Sequence, residues 1–126
     1  MKILIVDDST QIREDFKDLL KDFVELTVIE AEDGQIGLEV LKENKDTNLI
    51  ISDIEMPIMD GFGFVEKVKL DEEVNNIPII FYTTQMSPSY TKKARDLGVK
   101  MHLPKPFSDG KRMINILEKV LRAKLK

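Results

Sequence analysis

Two adjacent aspartates, Asp7 and Asp8, follow directly on the apolar run Ile3–Val6. A third aspartate, Asp53, and a lysine, Lys105, stand at the ends of apolar runs further along the chain. The carboxyl ends of parallel strands lie along one edge of a sheet, so these residues would meet there if the runs share a sheet. Three neighbouring carboxylates repel one another, and a bound divalent cation offsets that repulsion. The residues therefore predict a shallow cation site at a sheet edge.

Asp53 is in a position that suits a nucleophile. An aspartate carboxylate can attack phosphorus and form an acyl phosphate. Phosphoryl transfer needs an in-line attacking group and positive charge around the transferring oxygens. Asp7 and Asp8 would hold Mg²⁺, which typically takes one or two carboxylates and keeps several waters. Lys105 would supply a point charge to the phosphoryl group, and a threonine hydroxyl at the end of the fourth run would donate a hydrogen bond.

Five short apolar runs are predicted to be strands, and segments of helical period lie between and after them. The predicted strands are Ile3–Val6, Leu26–Glu30, Leu49–Ser52, Ile79–Thr83 and Val99–Leu103. The first, third and fourth are almost wholly apolar, which is typical of strands covered on both faces. Pro104 lacks a ladder donor, so the fifth strand is expected to end early or to lie at an edge. Strict alternation predicts an α/β domain with a parallel sheet, right-handed crossovers and helices on both faces.

The helical segments begin with capping signals. The predicted helix starts are Ser9, Asp33-Gly34, Asp60-Gly61, Ser87-Pro88 and Ser108-Asp109. A serine side chain accepts hydrogen bonds from the free N–H groups of a first helical turn, and proline is favoured at the first helical position. Gly98 is expected to end the fourth helix, because glycine readily adopts the left-handed conformation found there.

Composition excludes several kinds of site. The chain has 126 residues, of which 42% are hydrophobic and 33% charged, which suits one soluble globular domain. It has no cysteine, so disulfides and thiolate metal sites are excluded. Its single histidine, His102, excludes a zinc site with several histidines from one chain.

No membrane span is predicted, since no stretch reaches the ~20 apolar residues that one requires. Met1-Lys2 leads straight into a short strand, which excludes a signal peptide, and we expect a cytoplasmic protein. The net charge of −4 argues against direct nucleic-acid binding. No linker or repeat interrupts the pattern, so residues 1–126 are expected to form a single domain with no output domain in this chain.

Taken together, the motifs resemble the receiver domain of two-component response regulators, most closely the stand-alone chemotaxis-type receivers. The motifs are Asp7-Asp8, Asp53 with Met56-Pro57 and Asp60-Gly61, Thr83, and Lys105-Pro106-Phe107. Each is weak alone, but all of them in order at the predicted strand ends form a strong signal that extends from Lys2 to about Leu121. The resemblance implies a doubly wound, flavodoxin-like (βα)5 fold whose five-stranded parallel sheet has the order 2-1-3-4-5.

The resemblance also implies a role for each acidic position. Asp53 would be the phospho-acceptor, taking the phosphoryl group from the phosphohistidine of a histidine kinase or a phosphotransfer protein. Asp8 and Asp53 would bind Mg²⁺, or Mn²⁺ in its place, with the main-chain carbonyl of Glu55 as a third protein ligand. Asp7 would act mainly through metal-bound water.

The remaining site positions follow from the same resemblance. Lys105 would contact the phosphoryl oxygens, and its peptide bond to Pro106 would be cis. The family's spacing between its switch threonine and the lysine selects Thr83 rather than Thr84. The switch residue on the fifth strand would be His102, where many relatives carry tyrosine or phenylalanine.

The predicted function is a phosphorylation-dependent signalling switch. Phosphorylation would reshape the face formed by the fourth helix, fifth strand and fifth helix, and so control an unidentified downstream protein. Such a protein phosphorylates and dephosphorylates itself but turns over no separate substrate, so we do not class it as an enzyme. We expect a monomer or a phosphorylation-induced dimer that makes no contact with a membrane.

Three other classes of protein share features of this sequence. A flavodoxin-like redox protein would cradle a phosphate in its first loop, but Asp7 and Asp8 would repel that phosphate. A haloacid-dehalogenase-type phosphatase needs an Asp-x-Asp pair, and the nearest approach is Asp53-Ile54-Glu55. The third alternative, a receiver-like interaction module that works without phosphorylation, stays open.

Overall fold

Strands and helices alternate along the chain in the computed structural model, which describes residues 1–126. The strands are β1 (Lys2–Val6), β2 (Thr27–Ala31), β3 (Leu49–Ser52), β4 (Ile79–Thr83) and β5 (Met101–Pro104). The helices are α1 (Thr10–Leu20), α2 (Gly34–Glu43), α3 (Gly61–Leu70), α4 (Pro88–Asp96) and α5 (Gly110–Leu121). All neighbouring strands pair in parallel, in the order β2-β1-β3-β4-β5. The predicted fold class and strand order are confirmed.

The fifth strand differs most from its predicted bounds. It begins at Met101 rather than Val99, because Val99 still belongs to the turn that ends α4. Gly98 has φ 86° and donates its N–H to Arg95, and the N–H of Val99 bonds to the Ala94 carbonyl at 2.9 Å. These two bonds satisfy two carbonyls of the last turn of α4 and direct the chain away from the helix.

The prediction that β5 ends early or lies at an edge is confirmed, since β5 is an edge strand, although it extends one residue past the predicted end at Leu103. Pro104 belongs to β5 and pairs with Thr83 of β4. Proline is tolerated there because β5 has a neighbour on one side only, so a missing donor interrupts no second ladder.

The sheet separates two layers of apolar side chains. Leu4 and Ile50 belong to the cluster that includes residues of α2, α3 and α4. Ile3 and Ile51 belong to the cluster that includes residues of α1 and α5. Successive side chains of a strand point to opposite faces, so β1 and β3 contribute to both layers and are buried throughout most of their length. None of the helices is both long and apolar enough to cross a membrane.

Every helix begins with a side-chain cap, as the sequence predicts. The capping pairs are Ser9 with Ile12, Asp33 with Ile36, Asp60 with Gly63, Ser87 with Tyr90, and Asp109 with Arg112. In each pair the first side chain accepts a hydrogen bond from the backbone N–H of the second residue, which satisfies an otherwise free donor. Since every helix begins after a strand ends, these caps order the loops at the carboxyl edge of the sheet.

Candidate functional site

Asp7 and Asp53 directly follow two neighbouring strands whose last residues, Val6 and Ser52, lie opposite each other. The backbone N–H of Asp53 donates to the Val6 carbonyl at 2.9 Å, and that of Asp7 donates to the Ala31 carbonyl of β2 at 3.0 Å. Sheet hydrogen bonding therefore continues into both acidic residues. Both are buried, with exposed fractions of 1% for Asp7 and 6% for Asp53.

The side chain of Lys105 joins these two acids. Its Nζ atom lies 2.9 Å from Oδ2 of Asp7 and 2.9 Å from Oδ2 of Asp53. Lys105 reaches the site from the loop after β5, where its backbone N–H donates to the Thr83 carbonyl at 3.2 Å. The peptide bond between Lys105 and Pro106 is cis, as the resemblance to receiver domains implies. The predicted meeting of these strand ends at one edge is thus confirmed.

For both Asp7 and Lys105, burial and hydrogen bonding shift the pKa in opposite directions. Burial raises the pKa of Asp7 above its ordinary value, although hydrogen bonds from Lys105 and from the Ser9 N–H oppose that shift. Burial also acts to lower the pKa of Lys105, but its hydrogen bonds to Asp7 and Asp53 together outweigh that effect and raise the pKa. The lysine therefore stays protonated at neutral pH, and its charge partly neutralises the buried acids.

Asp8 completes an acidic cluster with Asp7 and Asp53. One carboxylate oxygen of each residue lies within 4.8 Å of the other two. Asp8 is exposed, so the cluster is open to solvent on its side. The cluster has three carboxyl groups and one ammonium, that of Lys105, which contacts two of them, so negative charge is in excess. An all-oxygen donor set of this kind fits a hard divalent cation such as Mg²⁺, which favours carboxylate, carbonyl and water ligands.

The loop between β3 and α3 is pressed against the main chain of Asp53. Gly61 donates its N–H to the Ile54 carbonyl at 2.7 Å, and a Cβ atom added at Gly61 would lie 2.3 Å from the Asp53 carbonyl oxygen. Before it, a tight turn is closed by a 2.7 Å hydrogen bond from Met59 N–H to the Pro57 carbonyl. Only glycine permits so close a backbone approach, which explains why Asp60-Gly61 belongs to the motif.

The positions of Thr83 and His102 do not test their predicted roles as switch residues. Thr83 is buried at the end of β4, but its hydroxyl pairs with Gln85: it accepts from the Gln85 N–H at 3.3 Å and lies 3.4 Å from the Gln85 carbonyl. It forms no hydrogen bond with Asp53. His102 lies opposite Phe81 on the edge strand and is exposed.

Arg13 also supports the site, although no sequence motif indicates it. Its side chain is only 14% exposed, and one terminal guanidinium nitrogen donates to the main-chain carbonyl of Asp7. Its Nε donates to Glu30 Oε1 at 3.0 Å. A charged residue in an amphipathic helix is normally read as part of the solvated face, and the helical period gives no signal that this one turns toward a strand end.

Two tyrosines also support neighbouring loops. The Tyr82 hydroxyl accepts from the Phe107 N–H at 2.7 Å and so anchors the chain just after Lys105 and Pro106. Tyr90 on α4 donates its hydroxyl to Glu55 Oε1 at 3.4 Å, which links α4 to the loop that follows Asp53. These contacts depend on side chains from separate elements.

Comparison with known proteins agrees with this geometry. Residues 3–118 match the family model described as the response regulator receiver domain. The chain is 39% identical to the chemotaxis protein CheY1 of Helicobacter pylori strain J99 over 108 residues, covering 86% of this chain and 87% of that protein. It is 36% identical to histidine kinase P4 of Formosa agariphila over an alignment that covers 98% of this chain and 9% of the kinase.

A solved structure shares the whole architecture. That of the chemotaxis protein CheY4 of Vibrio cholerae, at 34% identity, superposes with a TM-score of 0.85 and covers 94% of this chain and 97% of that one. The chain therefore belongs to the response regulator receiver domain family of two-component systems, and it is similar to the CheY-type proteins within it.

Proposed function

We propose that this protein is a phosphorylation-dependent signalling switch in which Asp53 receives a phosphoryl group from a histidine kinase or a phosphotransfer protein. One observation carries the proposal: the Lys105 ammonium contacts both Asp7 and Asp53 at 2.9 Å, inside an acidic cluster at the carboxyl edge of the sheet. Open parallel sheets bind their ligands at that edge. The arrangement supplies a nucleophile and a neighbouring positive charge, which phosphoryl transfer requires.

In the proposed reaction an Asp53 carboxylate oxygen forms a bond to phosphorus while the phosphorus–nitrogen bond of the donor's phosphohistidine breaks. The histidine ring leaves with the electron pair of that bond and takes up a proton. Lys105 holds its charge beside the transferring oxygens, since it already lies within 2.9 Å of Asp53. Hydrolysis of the acyl phosphate later returns the Asp53 carboxylate and releases inorganic phosphate, which resets the switch.

Asp7, Asp8 and Asp53, together with the main-chain carbonyl of Glu55, would hold Mg²⁺ in this proposal. Mn²⁺ would serve as well, because it takes the same oxygen ligands. When bound, the cation supplies positive charge that stabilises the phosphoryl oxygens during transfer. Asp7 is buried and Asp8 is exposed, so the protein's part is to hold one carboxylate rigidly and to present the other toward solvent.

The proposed output is a change at the face formed by α4, β5 and α5, with Thr83 and His102 as the residues that move. Edge strand β5 has exposed residues along most of its length, so a partner can reach it. The exposed basic side chains on this face are Lys92, Lys93, Arg95, Lys100, Lys111 and Arg112. They favour a downstream protein with an acidic docking surface. Because the phosphoryl group would end on the protein itself, the proposal describes a switch and not an enzyme with a separate substrate.

The test is intact-mass spectrometry after incubation with Mg²⁺ and a small phosphodonor. We expect one labile phosphoryl adduct on the wild type, absent in Asp53→Asn and absent when a chelator is added. Asp22→Asn, which removes an exposed carboxylate just beyond the end of α1 and outside the acidic cluster, is the control that should keep the adduct. An adduct that persists in Asp53→Asn would contradict the choice of acceptor. No adduct on the wild type from either the small donor or a phosphorylated kinase would favour an interaction module that works without phosphorylation.

A further inference from the structure

We propose that Arg13 is a positioning residue for the acidic cluster, and that it sets the cation affinity of the site by holding the peptide group between Asp7 and Asp8. The inference deepens the proposed function, because it rests on the cluster being a cation site. It concerns a residue that contacts none of the three carboxylates through a hydrogen bond or an ion pair. Its effect would pass through the main chain.

The Asp7 residue is held at both of its backbone polar groups. Its N–H donates to Ala31 of β2 at 3.0 Å, and its carbonyl accepts a hydrogen bond from the Arg13 guanidinium. The carbonyl of Asp7 and the N–H of Asp8 belong to one planar peptide group. The orientation of that group therefore decides the directions in which two consecutive carboxylates leave the main chain.

Arg13 is itself fixed by a second partner. Its Nε donates to Glu30 Oε1 at 3.0 Å, and Glu30 also accepts from Lys17 Nζ at 3.0 Å through its other oxygen. The Arg13 side chain is 14% exposed and that of Glu30 is 32% exposed, so both are partly shielded from solvent. A guanidinium held in this way loses little further freedom when it binds the Asp7 carbonyl.

The geometry requires an arginine and not merely a positive charge. The guanidinium donates from separate nitrogens to the Asp7 carbonyl and to Glu30, and a third nitrogen lies 3.4 Å from the Thr10 hydroxyl. An ammonium group is a compact point charge and cannot span partners in this planar pattern. Arg13→Lys would therefore keep the charge but lose the link between the Asp7 carbonyl and β2.

Groups that orient metal ligands without touching the metal commonly change metal affinity by about 10–100-fold when they are removed. We accordingly expect Arg13→Gln to weaken cation binding about tenfold. We expect Arg13→Lys to weaken it by nearly as much. If Arg13 acted only through its charge, Arg13→Lys would bind like the wild type.

The chain offers a matched control in Lys17. Lys17→Gln removes one positive charge from the same helix and one contact from the same carboxylate of Glu30, but Lys17 makes no contact with Asp7. A purely electrostatic effect would strengthen binding in both Lys17→Gln and Arg13→Gln, because each variant loses a positive charge that repels the cation. A positioning effect would weaken it in Arg13→Gln only.

The experiment is a Mn²⁺ titration of each variant followed by electron paramagnetic resonance of the free ion, with urea unfolding to establish the folded fraction. A tenfold loss in Arg13→Gln and Arg13→Lys, with Lys17→Gln near the wild type, would support the inference. Equal affinity in Arg13→Gln and the wild type would overturn it. If Arg13→Gln does not fold, Arg13→Lys carries the test, because it keeps the charge: a loss of affinity would support the inference and an affinity equal to that of the wild type would overturn it.

This measurement separates the inference from the proposed function. A wild type that binds Mn²⁺ but accepts no phosphoryl group would contradict the proposed function and leave the Arg13 comparison valid. A wild type that binds no divalent cation would overturn the inference, because there would be no affinity for Arg13 to set. Phosphorylation of Asp53 would then be judged by its own mass measurement.

Discussion

Lys105 contacts two buried carboxylates at equal distances of 2.9 Å. Asp7 and Asp53 would otherwise be buried like charges, which is costly unless a cation compensates them. The lysine supplies part of that compensation from within the chain, so the acidic cluster does not depend wholly on a bound metal for its stability. A positive charge at this position compensates the buried carboxylates and would also serve the proposed chemistry.

At the scale of single residues, the close packing of the Gly61 backbone against Asp53 and Ile54 predicts the effect of adding a side chain at Gly61. In Gly61→Ala the new Cβ would lie 2.3 Å from the Asp53 carbonyl oxygen and 2.8 Å from Ile54 Cα, and neither backbone atom can move easily. We expect the free energy of unfolding to fall by about 2 kcal/mol or more, as in other overpacked sites. Urea unfolding would measure it.

Gly63→Ala is the control for this prediction. There the new Cβ would lie 3.3 Å from Met59 Cγ, in a flexible side chain that can adjust. Alanine also has the higher helix propensity, by about 1 kcal/mol. Gly63→Ala should therefore match or exceed the wild type in stability, and a loss equal to that of Gly61→Ala would contradict the argument.

Ile58 allows a second prediction about stability, because its backbone adopts a conformation that branched residues avoid. It has φ 70° and its side chain is 84% exposed, so little packing offsets the strain. Ile58→Gly should raise the free energy of unfolding by about 1 kcal/mol, the approximate cost of a left-handed conformation in a non-glycine residue. Val24→Gly is the control, since Val24 is 89% exposed and has no positive φ. It should be neutral or destabilising, and a gain in both variants would contradict the strain argument.

At the scale of elements, α1 is tied to β2 by charged side chains as well as by the core. Arg13 and Lys17 both donate to Glu30, and Lys17 also pairs with Glu14 at 2.7 Å. Burial alone would raise the pKa of Glu30, but hydrogen bonds from Lys17 and Arg13 together outweigh it and lower that pKa. The ionised form of Glu30 is thus favoured in the folded state.

This shift predicts a pH-dependent contribution to stability. A carboxyl group whose pKa is lowered on folding stabilises the protein above its unfolded pKa, about 4.3, and that contribution is lost as pH falls through the lower folded value. Glu30→Gln should lower the unfolding free energy by about 0.5–1 kcal/mol at pH 7, a small effect because the pair is partly solvated. The difference from the wild type should shrink as pH falls below about 4.3.

Urea unfolding across this pH range would test the assignment. Glu66→Gln is the control, because Glu66 is exposed on α3 and forms no ion pair. It should track the wild type at every pH. If the loss of unfolding free energy in Glu30→Gln stayed constant down to pH 3, Glu30 would stabilise the protein through the packing of its side chain and not through its ionised carboxylate.

At the scale of the whole molecule, cation binding and folding should be coupled. Asp7 and Asp8 are adjacent after β1, but Asp53 follows β3 much further along the chain, so the unfolded chain does not bring all three carboxylates together. Mg²⁺ should therefore bind the folded state preferentially and raise its stability, by about 1.4 kcal/mol when its concentration is tenfold above the dissociation constant. Thermal unfolding with Mg²⁺ and with chelator would measure this difference.

Asp8→Asn tests whether the stabilisation by Mg²⁺ arises at the acidic cluster. Asp8 is exposed, so its replacement should leave the metal-free protein close to the wild type while removing most of the stabilisation by Mg²⁺. Asp22→Asn removes an exposed carboxylate after α1 and should keep the full effect. Equal stabilisation by Mg²⁺ in Asp8→Asn and the wild type would contradict a cation site at the acidic cluster.

The sequence alone determined the element order, the faces that form the two core layers and the residues that collect at one edge. These follow from local patterns. Apolar runs such as Leu49–Ser52 predict buried strands, and caps such as Ser87 mark helix starts within the few residues that form them. The bounds of β5 were the main error, because the turn at Gly98 uses two residues that periodicity assigned to the strand.

The tertiary structure alone decided which atoms meet. Lys105 contacts Asp7 and Asp53 across 98 and 52 residues of chain, Gly61 presses on the Asp53 carbonyl, and Arg13 holds the Asp7 carbonyl. Periodicity predicts the face on which a side chain lies, but a hydrogen bond requires two groups to agree within a few tenths of an ångström. That agreement depends on how whole layers pack against one another, and no local stretch of sequence contains it.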